Sequence, residues 1–237
     1  MALERRAVID IGTNSVKLLV ADVDAALVVP VFEESEQTRL GRDFYESHRL
    51  KQEAIADTAA AVAQFARISR TKNVQSLRVI ATSAARDAQN QGEFLEAIKQ
   101  ASGLEVDIIS GQQEADLVYQ GVRSDPNLAE RRLMILDVGG GSSEFMIGSG
   151  QHPELSCSFA LGSVRLLEMM RPTDPPTASE LERCRGYLRE FFAEHIREPF
   201  SAALAGGSAR TSLIGTGGAA TILARRSTRA MPASCAM

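Results

Sequence analysis

Several hallmarks of other protein classes are scarce in this 237-residue sequence. Its three cysteines, Cys157, Cys184 and Cys235, are odd in number, widely spaced and without a Cys-x-x-Cys pair. The pattern therefore supports neither a disulfide framework nor a zinc site. No apolar run approaches the roughly 20 residues that span a bilayer, and no hydrophobic leader precedes the first strand-like segment. We expect a cytoplasmic protein that does not bind a membrane.

An excess of positive charge is also missing. The sequence has 26 Lys and Arg against 30 Asp and Glu, a net charge of −4, which argues against nucleic acid as a partner. A polyanionic substrate stays open, because arginines, backbone N–H groups and a divalent metal can make one cleft positive on an acidic protein. The serine-hydrolase elbow, the Walker A lysine motif and a cysteine-nucleophile signature are all absent.

What the sequence does contain is an internal repeat. Residues 8–20 and 136–148 each read as an apolar strand, the turn Asp-x-Gly-x-x-Ser, and a second apolar strand. Asp10 aligns with Asp137, so the second copy begins just past the middle of the chain. Two copies at this distance indicate two related lobes, because solenoid repeats recur every 20–50 residues or so.

Between the copies, strand and helix patterns alternate, which favours an α/β fold with mixed sheets flanked by helices. Apolar positions at helical spacing predict a helix over 51–70, residues 77–82 and 104–109 read as strands, and Thr177 begins a Thr-x-x-Glu capping box. We place the lobe boundary in the polar stretch after residue 125, giving lobes of 1–125 and 126–237. The segment from about Arg225 has no periodicity and is expected to be an irregular tail.

The two turns are the main candidates for chemistry. Glycine allows close approach of a phosphate to backbone N–H groups, and the neighbouring hydroxyls and amide add donors. Carboxylates at the strand ends suit Mg²⁺, which prefers one or two carboxylates together with phosphate oxygens. The simpler alternative is a pair of ordinary hairpins. The candidate phosphate-binding residues are Gly12, Thr13, Asn14, Ser15, Gly139, Gly140, Gly141, Ser142 and Ser143.

Other segments add weaker signals. Glu114 follows a strand and a glycine at the start of a helix, where it could orient a water, although it could equally complement the helix dipole. Arg86 lies just beyond a strand end and suits a phosphate, the alternative being a solvated arginine or one paired with Asp87. The turn Gly215-Thr216-Gly217-Gly218 could suit a nucleotide, and Lys17, Arg39 and Arg165 are lesser candidates.

In this order, residues 7–15, 81–88, 110–115, 136–144 and 215–221 resemble the Ppx/GppA family of exopolyphosphatases and guanosine pentaphosphate phosphohydrolases. The resemblance implies a two-lobed, actin-like, ribonuclease-H-type fold with the active site in the cleft and Mg²⁺ as cofactor. It assigns the catalytic glutamate to Glu114, the cleft acids to Asp137 and Glu144, and the phosphate-contacting arginine to Arg86. Together with Asp10, the two cleft acids are the candidate metal ligands.

Two departures from the family pattern stand out. The first acid of the family's Glu-Glu pair is Gln113 here, which leaves Glu114 as the catalytic position. Beyond about residue 224 the sequence no longer resembles the family, so we expect an incomplete second lobe.

The leading hypothesis is hydrolysis of a terminal phosphoanhydride in polyphosphate or guanosine pentaphosphate. The alternatives are an ATP-dependent kinase of the same superfold and a truncated protein that binds these phosphates without turnover. Relatives in this family are commonly dimers, so a homodimer is an open expectation.

Overall fold

A computed structural model describes residues 3–24, 27–205 and 210–230. The first lobe is a five-stranded sheet in the order β3-β2-β1-β4-β5. Strands β1 to β3 are antiparallel neighbours, whereas β4 and β5 run parallel to β1. Its elements are β1 (Glu4–Ile11), β2 (Val16–Val23), β3 (Val28–Glu36), α1 (Gln52–Thr71), β4 (Ser76–Ala81), α2 (Ser83–Arg86), α3 (Gln91–Ser102), β5 (Asp107–Ile108) and α4 (Gly111–Arg123).

One face of the first sheet carries the main core. Alternate residues of β1 and β2, such as Ile9 and Leu18, are buried there, as the period of two along a strand requires. Helices α1 and α3 cover this face, and Phe65, Phe94 and neighbouring aliphatic side chains fill the interior. Each such side chain contributes roughly 1.5–3 kcal/mol on burial. Asp10 lies on the opposite face of β1, close enough to the second lobe for the charge of Asp137 to raise its pKa.

The second lobe repeats this plan with a four-stranded sheet in the order β8-β7-β6-β9. Again the first two strands form an antiparallel hairpin, and a later strand joins β6 in parallel. Its elements are β6 (Leu133–Val138), β7 (Ser143–Gly148), β8 (Leu155–Phe159), α5 (Ser163–Met170), α6 (Ala178–Phe191), a π-helical turn (Phe192–Ile196), α7 (Arg197–Ala205), β9 (Ser212–Thr216) and α8 (Gly217–Ala230). The α/β class with two mixed sheets flanked by helices is therefore confirmed.

Helix α4 packs against the second sheet rather than the first. Its buried residues Ala115 and Tyr119 lie in one cluster with Leu133, Ile135 and Met146. The boundary after residue 125 follows the chain connection, but in space α4 belongs with the second lobe. This position brings the start of α4 to the cleft between the lobes.

Some of the predictions for individual helices and strands are confirmed and others are wrong. The helix over 51–70 and the capping box at Thr177 are confirmed. The strand expected over 104–109 is only two residues long, and helix α8 continues to Ala230 where an irregular tail from about 225 was expected. Alanine and arginine, which are frequent there, are good helix formers. The remainder of the expected tail, 231–237, lies outside the described residues. Across the described ranges, no helix combines the length and apolarity needed to cross a membrane.

Candidate active site

The two Asp-x-Gly turns have the same conformation. The N–H of Gly12 donates to the carbonyl of Ser15 at 3.0 Å, and the N–H of Gly139 donates to the carbonyl of Ser142 at 3.0 Å. A Cβ on Gly139 would lie only 3.0 Å from that carbonyl oxygen, so the turn is closed too tightly for a side chain. The sequence repeat is thus a structural repeat.

Neighbouring segments bind the carbonyl groups of both turns. In the first turn, the carbonyls of Thr13 and Asn14 accept from the N–H groups of Gly41 and Arg39. In the second turn, residues 163–165 at the start of α5 donate to the carbonyls of Gly139 and Gly140. Within the described chain, the N–H groups of residues 13–15 and 140–142 have no hydrogen-bond acceptor. Free N–H groups concentrated at a glycine turn form a concavity suited to an anion.

The two turns meet across the cleft. A Cβ on Gly140 would lie 3.0 Å from Cβ of Thr13, and a Cβ on Gly141 would clash with the hydroxyl oxygens of Tyr45, Ser83 and Thr13. The second turn is therefore glycine-rich because the first turn and its neighbours occupy the space its side chains would need.

Carboxylates lie behind both turns. Asp137 and Glu144 are direct cross-strand partners on β6 and β7, on the face of the sheet that α4 covers. Glu144 is 1% exposed and accepts a hydrogen bond from the hydroxyl of Ser158 at 2.8 Å. Burial raises the pKa of Glu144, and the charge of Asp137 adds to the rise, whereas Ser158, Ser142 and Arg86 oppose it. The second lobe thus carries a buried acidic pair.

Asp10 and Asp137 face each other from the two lobes. Burial raises the pKa of each carboxyl, and the charge of Asp137 further raises the pKa of Asp10. The Thr216 hydroxyl and then Lys17 lower the pKa of Asp137, and Lys17 also lowers that of Asp10. One carboxylate oxygen of Asp137 is buried without a hydrogen-bond partner in the described structure. That oxygen is free to take a further ligand.

Glu114 lies in the first turn of α4, beside Arg86 from the first lobe. Nη1 of Arg86 donates to the Glu114 carboxylate at 3.2 Å and to the carbonyl of Ile109 at 3.0 Å. Burial raises the pKa of Glu114 to about 7, helped by the charges of Glu144 and Asp10 and opposed by Arg86. Glu114 and Arg86 are candidates from separate sequence motifs, and the structure brings them into contact.

Gln113 has a structural role. Its side-chain oxygen accepts from the N–H of Ser110 at 2.8 Å, while the Ser110 hydroxyl accepts from the N–H of Gln113 at 3.2 Å. This reciprocal capping box begins α4 and fixes the direction of its first turn. A glutamine serves there as well as a glutamate, so the departure from the family pattern does not affect the position of Glu114.

Arg165 contributes more than the sequence indicated. Its Nε donates to the carbonyl of Gly141 at 2.8 Å, its Nη2 donates to Asp87 at 2.7 Å, and its guanidinium lies 4.2 Å from the centre of the Tyr45 ring. Arg86, Arg165 and Asp87 line one cavity of about 390 Å³ with Ser83 and Ser142. Tyr45 gave no local sequence signal, whereas Ser83 lies in the same motif as Arg86.

The glycine turn after β9 lies next to the acidic pair. Gly217 has a φ of +84°, and a Cβ there would lie 2.6 Å from a carboxylate oxygen of Asp137. The hydroxyl of Thr216 is buried beside Asp137 and lowers the pKa of that carboxyl. Gly215, Thr216, Gly217 and Gly218 thus border Asp137, and their predicted contact with a nucleotide stays a prediction.

Comparison with known proteins connects this arrangement to a family. Residues 19–233 match the model of the Ppx/GppA phosphatase family. The match extends beyond residue 224, where the sequence pattern predicts that the resemblance ends. Exopolyphosphatase 2 of Mycobacterium tuberculosis is 35% identical over 207 residues, covering 83% of this chain and 64% of that protein.

Solved structures agree. An exopolyphosphatase from Cytophaga hutchinsonii is 27% identical with a TM-score of 0.83, covering 97% of this chain and 73% of the other. The Aquifex aeolicus member of the Ppx/GppA family is 29% identical with a TM-score of 0.73, covering 97% and 71%. The fold and the paired turns define a two-lobed α/β protein of the actin-like class. The chain belongs to the Ppx/GppA phosphatase family. It spans 71–73% of the length of these two solved members and 64% of the length of the mycobacterial relative.

Proposed function

We propose that this chain provides the catalytic cleft of a phosphohydrolase that releases orthophosphate from the end of a phosphoanhydride chain. Inorganic polyphosphate is the proposed substrate class, and guanosine pentaphosphate is the second candidate because it presents the same terminal group. Membership of the family and the likeness to exopolyphosphatases support the proposal. The chain spans 64% of the length of the mycobacterial relative, so the activity of a whole protein of that length is part of what we propose.

The observation that carries this proposal is the environment of Glu114. A general base works best when its pKa lies near the working pH, and burial beside Glu144 raises the pKa of Glu114 to about 7. Arg86, which donates a hydrogen bond to this carboxylate, also lines the cavity that contains Arg165. In the proposed reaction Glu114 orients a water and accepts its proton as the water attacks the terminal phosphorus. The bond from that phosphorus to the bridging oxygen breaks, so that orthophosphate and a chain one phosphate shorter are released.

The remaining residues bind and position the phosphates. The free N–H groups of the two turns and the guanidinium groups of Arg86 and Arg165 are the donors for phosphoryl oxygens. Phosphoryl transfer requires mainly positioning and charge stabilisation, because little covalent chemistry falls to the protein. The proposed role of the turns is therefore to hold the terminal phosphates in line with the water that Glu114 orients.

Mg²⁺ is the proposed cofactor. Among the described residues, no group of three or more His, Cys, Asp and Glu side chains is arranged to hold a metal alone. The donor set fits a metal that arrives with phosphate, since Mg²⁺ uses one or two carboxylates and fills the remaining positions with phosphate oxygens and water. Asp10 and Asp137, the latter with an unpartnered buried oxygen, would hold it, with Glu144 behind them. When bound, Mg²⁺ would offset negative charge on the phosphates.

Phosphate release from long-chain polyphosphate and from guanosine pentaphosphate, with Mg²⁺ present, tests the proposal. Glu114→Gln keeps an acceptor for Arg86 but removes the base, so we expect kcat to fall at least about 100-fold while the fold persists. Asp116→Asn is the matched control and should retain activity, because it neutralises a carboxylate on the same helix that accepts a hydrogen bond from Gln112. Wild-type turnover in Glu114→Gln would remove that residue from the mechanism. The ratio of rates on the two substrates decides between them.

A further inference from the structure

The two arginines of the cleft cavity come from different lobes, and Asp87 lies between them at the seam. Arg86 ends helix α2 of the first lobe and Asp87 follows it, whereas Arg165 belongs to α5 of the second lobe. Nη2 of Arg165 donates to one carboxylate oxygen of Asp87 at 2.7 Å, and Nε of Arg86 lies 3.9 Å from the other. Asp87 also lines the cavity itself. A carboxylate there would repel a phosphate by its charge, so its position has a reason other than direct binding.

Contacts on three sides fix the guanidinium of Arg165. Besides the bond from Nη2 to Asp87, its Nε donates to the carbonyl of Gly141 at 2.8 Å, and the guanidinium lies over the ring of Tyr45. A guanidinium is planar and rigid, so bonds at Nε and Nη2 also set the direction of Nη1. Among the described residues, Nη1 of Arg165 has no hydrogen-bond acceptor. Asp87 thus helps to orient a donor that remains available to a ligand.

Other contacts hold α5 against the first lobe. Glu168 of this helix accepts a hydrogen bond from the backbone N–H of Tyr45 at 3.0 Å, and Arg171, just after the helix, pairs with Glu46. Neither contact involves Asp87. Removing the Asp87 carboxylate therefore leaves α5 attached to the first lobe, and we expect its effect to be confined to the cavity.

We propose that Asp87 is a positioning residue for the proposed reaction: its carboxylate orients the Arg165 guanidinium of the second lobe into the cavity that Arg86 of the first lobe also lines, so that a phosphate chain meets both arginines at once. Hydrogen bonds between a guanidinium and a carboxylate are short and directional, which suits this role. A binding group whose conformation is fixed by a neighbour holds its ligand more accurately than a free one. The inference rests on the proposed function, in which both arginines bind phosphoryl oxygens.

Charge and positioning predict opposite changes when Asp87 is substituted. If the carboxylate acted only through its charge, Asp87→Asn would remove a repulsion and phosphate would bind more tightly. If it orients Arg165, the same change weakens a charge-assisted hydrogen bond, and phosphate binds less well. Asp87→Asn keeps the shape of the side chain, whereas Asp87→Ala removes the bond entirely. We expect both variants to raise KM, Asp87→Ala by about tenfold, the loss of one hydrogen bond to a charged group, and kcat to change much less.

The measurements are phosphate release from polyphosphate with Mg²⁺ present, which gives KM and kcat, and calorimetric titration of inorganic phosphate. Arg165→Ala and the double variant Asp87→Ala/Arg165→Ala complete a cycle. A residue that acts through Arg165 has nothing left to position once that side chain is gone, so the double variant should match Arg165→Ala within about twofold. A residue with an independent role would add its own loss.

Asp22→Ala is the matched control. Asp22 accepts from Nε of Arg5 at 2.8 Å, and the side chains of Asp22 and Asp87 are 25% and 32% exposed. The Arg5–Asp22 pair lies toward the end of the β1–β2 hairpin that is remote from the turn. The control therefore loses a similar ion pair away from the cavity. Its melting temperature should fall at least as far as that of Asp87→Ala, while KM and phosphate binding stay at wild-type values.

Tighter or unchanged phosphate binding in the two Asp87 variants would overturn the inference, and so would losses that add in the double variant. A wild type that binds phosphate but releases none from polyphosphate or guanosine pentaphosphate would refute the proposed function, and the calorimetric titrations would still decide the role of Asp87. Active enzyme with wild-type KM in both Asp87 variants would refute only the inference. A wild type that neither binds nor releases phosphate would refute both.

Discussion

The two turns share one backbone geometry but differ in charge. In the first lobe Asp10 pairs across the hairpin with Lys17, whereas in the second lobe Asp137 pairs with Glu144 at the equivalent position. One copy therefore pairs opposite charges, and the other buries two acids together. The two copies also act differently on Glu114: burial raises its pKa, Glu144 of the second hairpin adds more to the rise than Asp10 of the first, and Arg86 of the first lobe opposes it.

The turns differ in bulk as well. The first reads Gly-Thr-Asn-Ser and the second Gly-Gly-Gly-Ser. Thr13 packs where a side chain on Gly140 would lie, and three hydroxyls occupy the place of a side chain on Gly141. The two turns can pack face to face because the second turn has glycine at the positions that contact the first.

Gly141→Asn would make the second turn resemble the first and should have the largest effect. An added side chain collides with Tyr45, Ser83 and Thr13, and overpacking of this kind costs about 1–3 kcal/mol. We expect the lobes to be forced apart and phosphate release to fall at least about 100-fold. Thermal melting and a phosphate-release assay check this, and near-normal activity would show that the turns need not touch.

The raised pKa of Glu114 should make the free energy of unfolding depend on pH. The folded Glu114 carboxyl keeps its proton up to about pH 7, whereas the unfolded one, with its ordinary pKa of 4.5, releases it earlier. The folded chain then binds more protons between these values, so its free energy of unfolding falls as pH rises through that window, by up to about 3 kcal/mol. Glu114→Gln should remove this loss in denaturant titrations at pH 5 and pH 8.

Glu180 provides a control because its pKa is lowered in the folded chain, whereas that of Glu114 is raised. Hydrogen bonds from Thr177 and Thr173 lower the pKa of this exposed carboxyl to about 2. Its contribution is present above pH 4.5 and is lost as pH falls through about 2. Glu180→Gln should therefore leave the slope between pH 5 and pH 8 unchanged. A shared slope change in both variants would mean that Glu114 is not the source.

The pH dependence of catalysis should respond differently to substitution of Glu144 and of Lys17. A base must be ionised, so kcat/KM of the wild type should rise with pH and reach half its maximum near the Glu114 pKa of about 7. Glu144→Gln removes a charge that raises this pKa, and the midpoint should move lower. Lys17→Gln is the control, because the charge of Lys17 acts on Asp10 and Asp137 rather than on Glu114. Equal midpoint shifts in both variants would contradict the assignment.

The smallest effect is expected from the reverse exchange, Asn14→Gly. Asn14 is exposed and its carbonyl bonds to Arg39, so removing its side chain creates no clash and leaves the closing bond of the turn in place. The cost should be about 0.5–1 kcal/mol of backbone entropy, seen as a modest drop in melting temperature. Loss of stability as large as that of Gly141→Asn would mean that the two turns are equivalent after all.

Sequence reasoning succeeded where the signal was local. The duplicated hairpins, the start of α6 at its capping box and the helix over 52–71 follow from short-range patterns. It failed where contacts join distant segments. Tyr45 reaches the seam through residues 37–50, which have no regular periodicity, and its anchor Glu168 is far along the chain. The packing of α4 on the second sheet was equally invisible, because an amphipathic helix does not say which sheet it will cover.

That placement of α4 divides the site between the two lobes. Glu114 is carried by the body that contains β6 and β7, while Arg86 is carried by the one that contains β1 and β4. Glu114 and Arg86 can therefore touch only while the two bodies stay together, and any separation of the lobes would break the hydrogen bond between them.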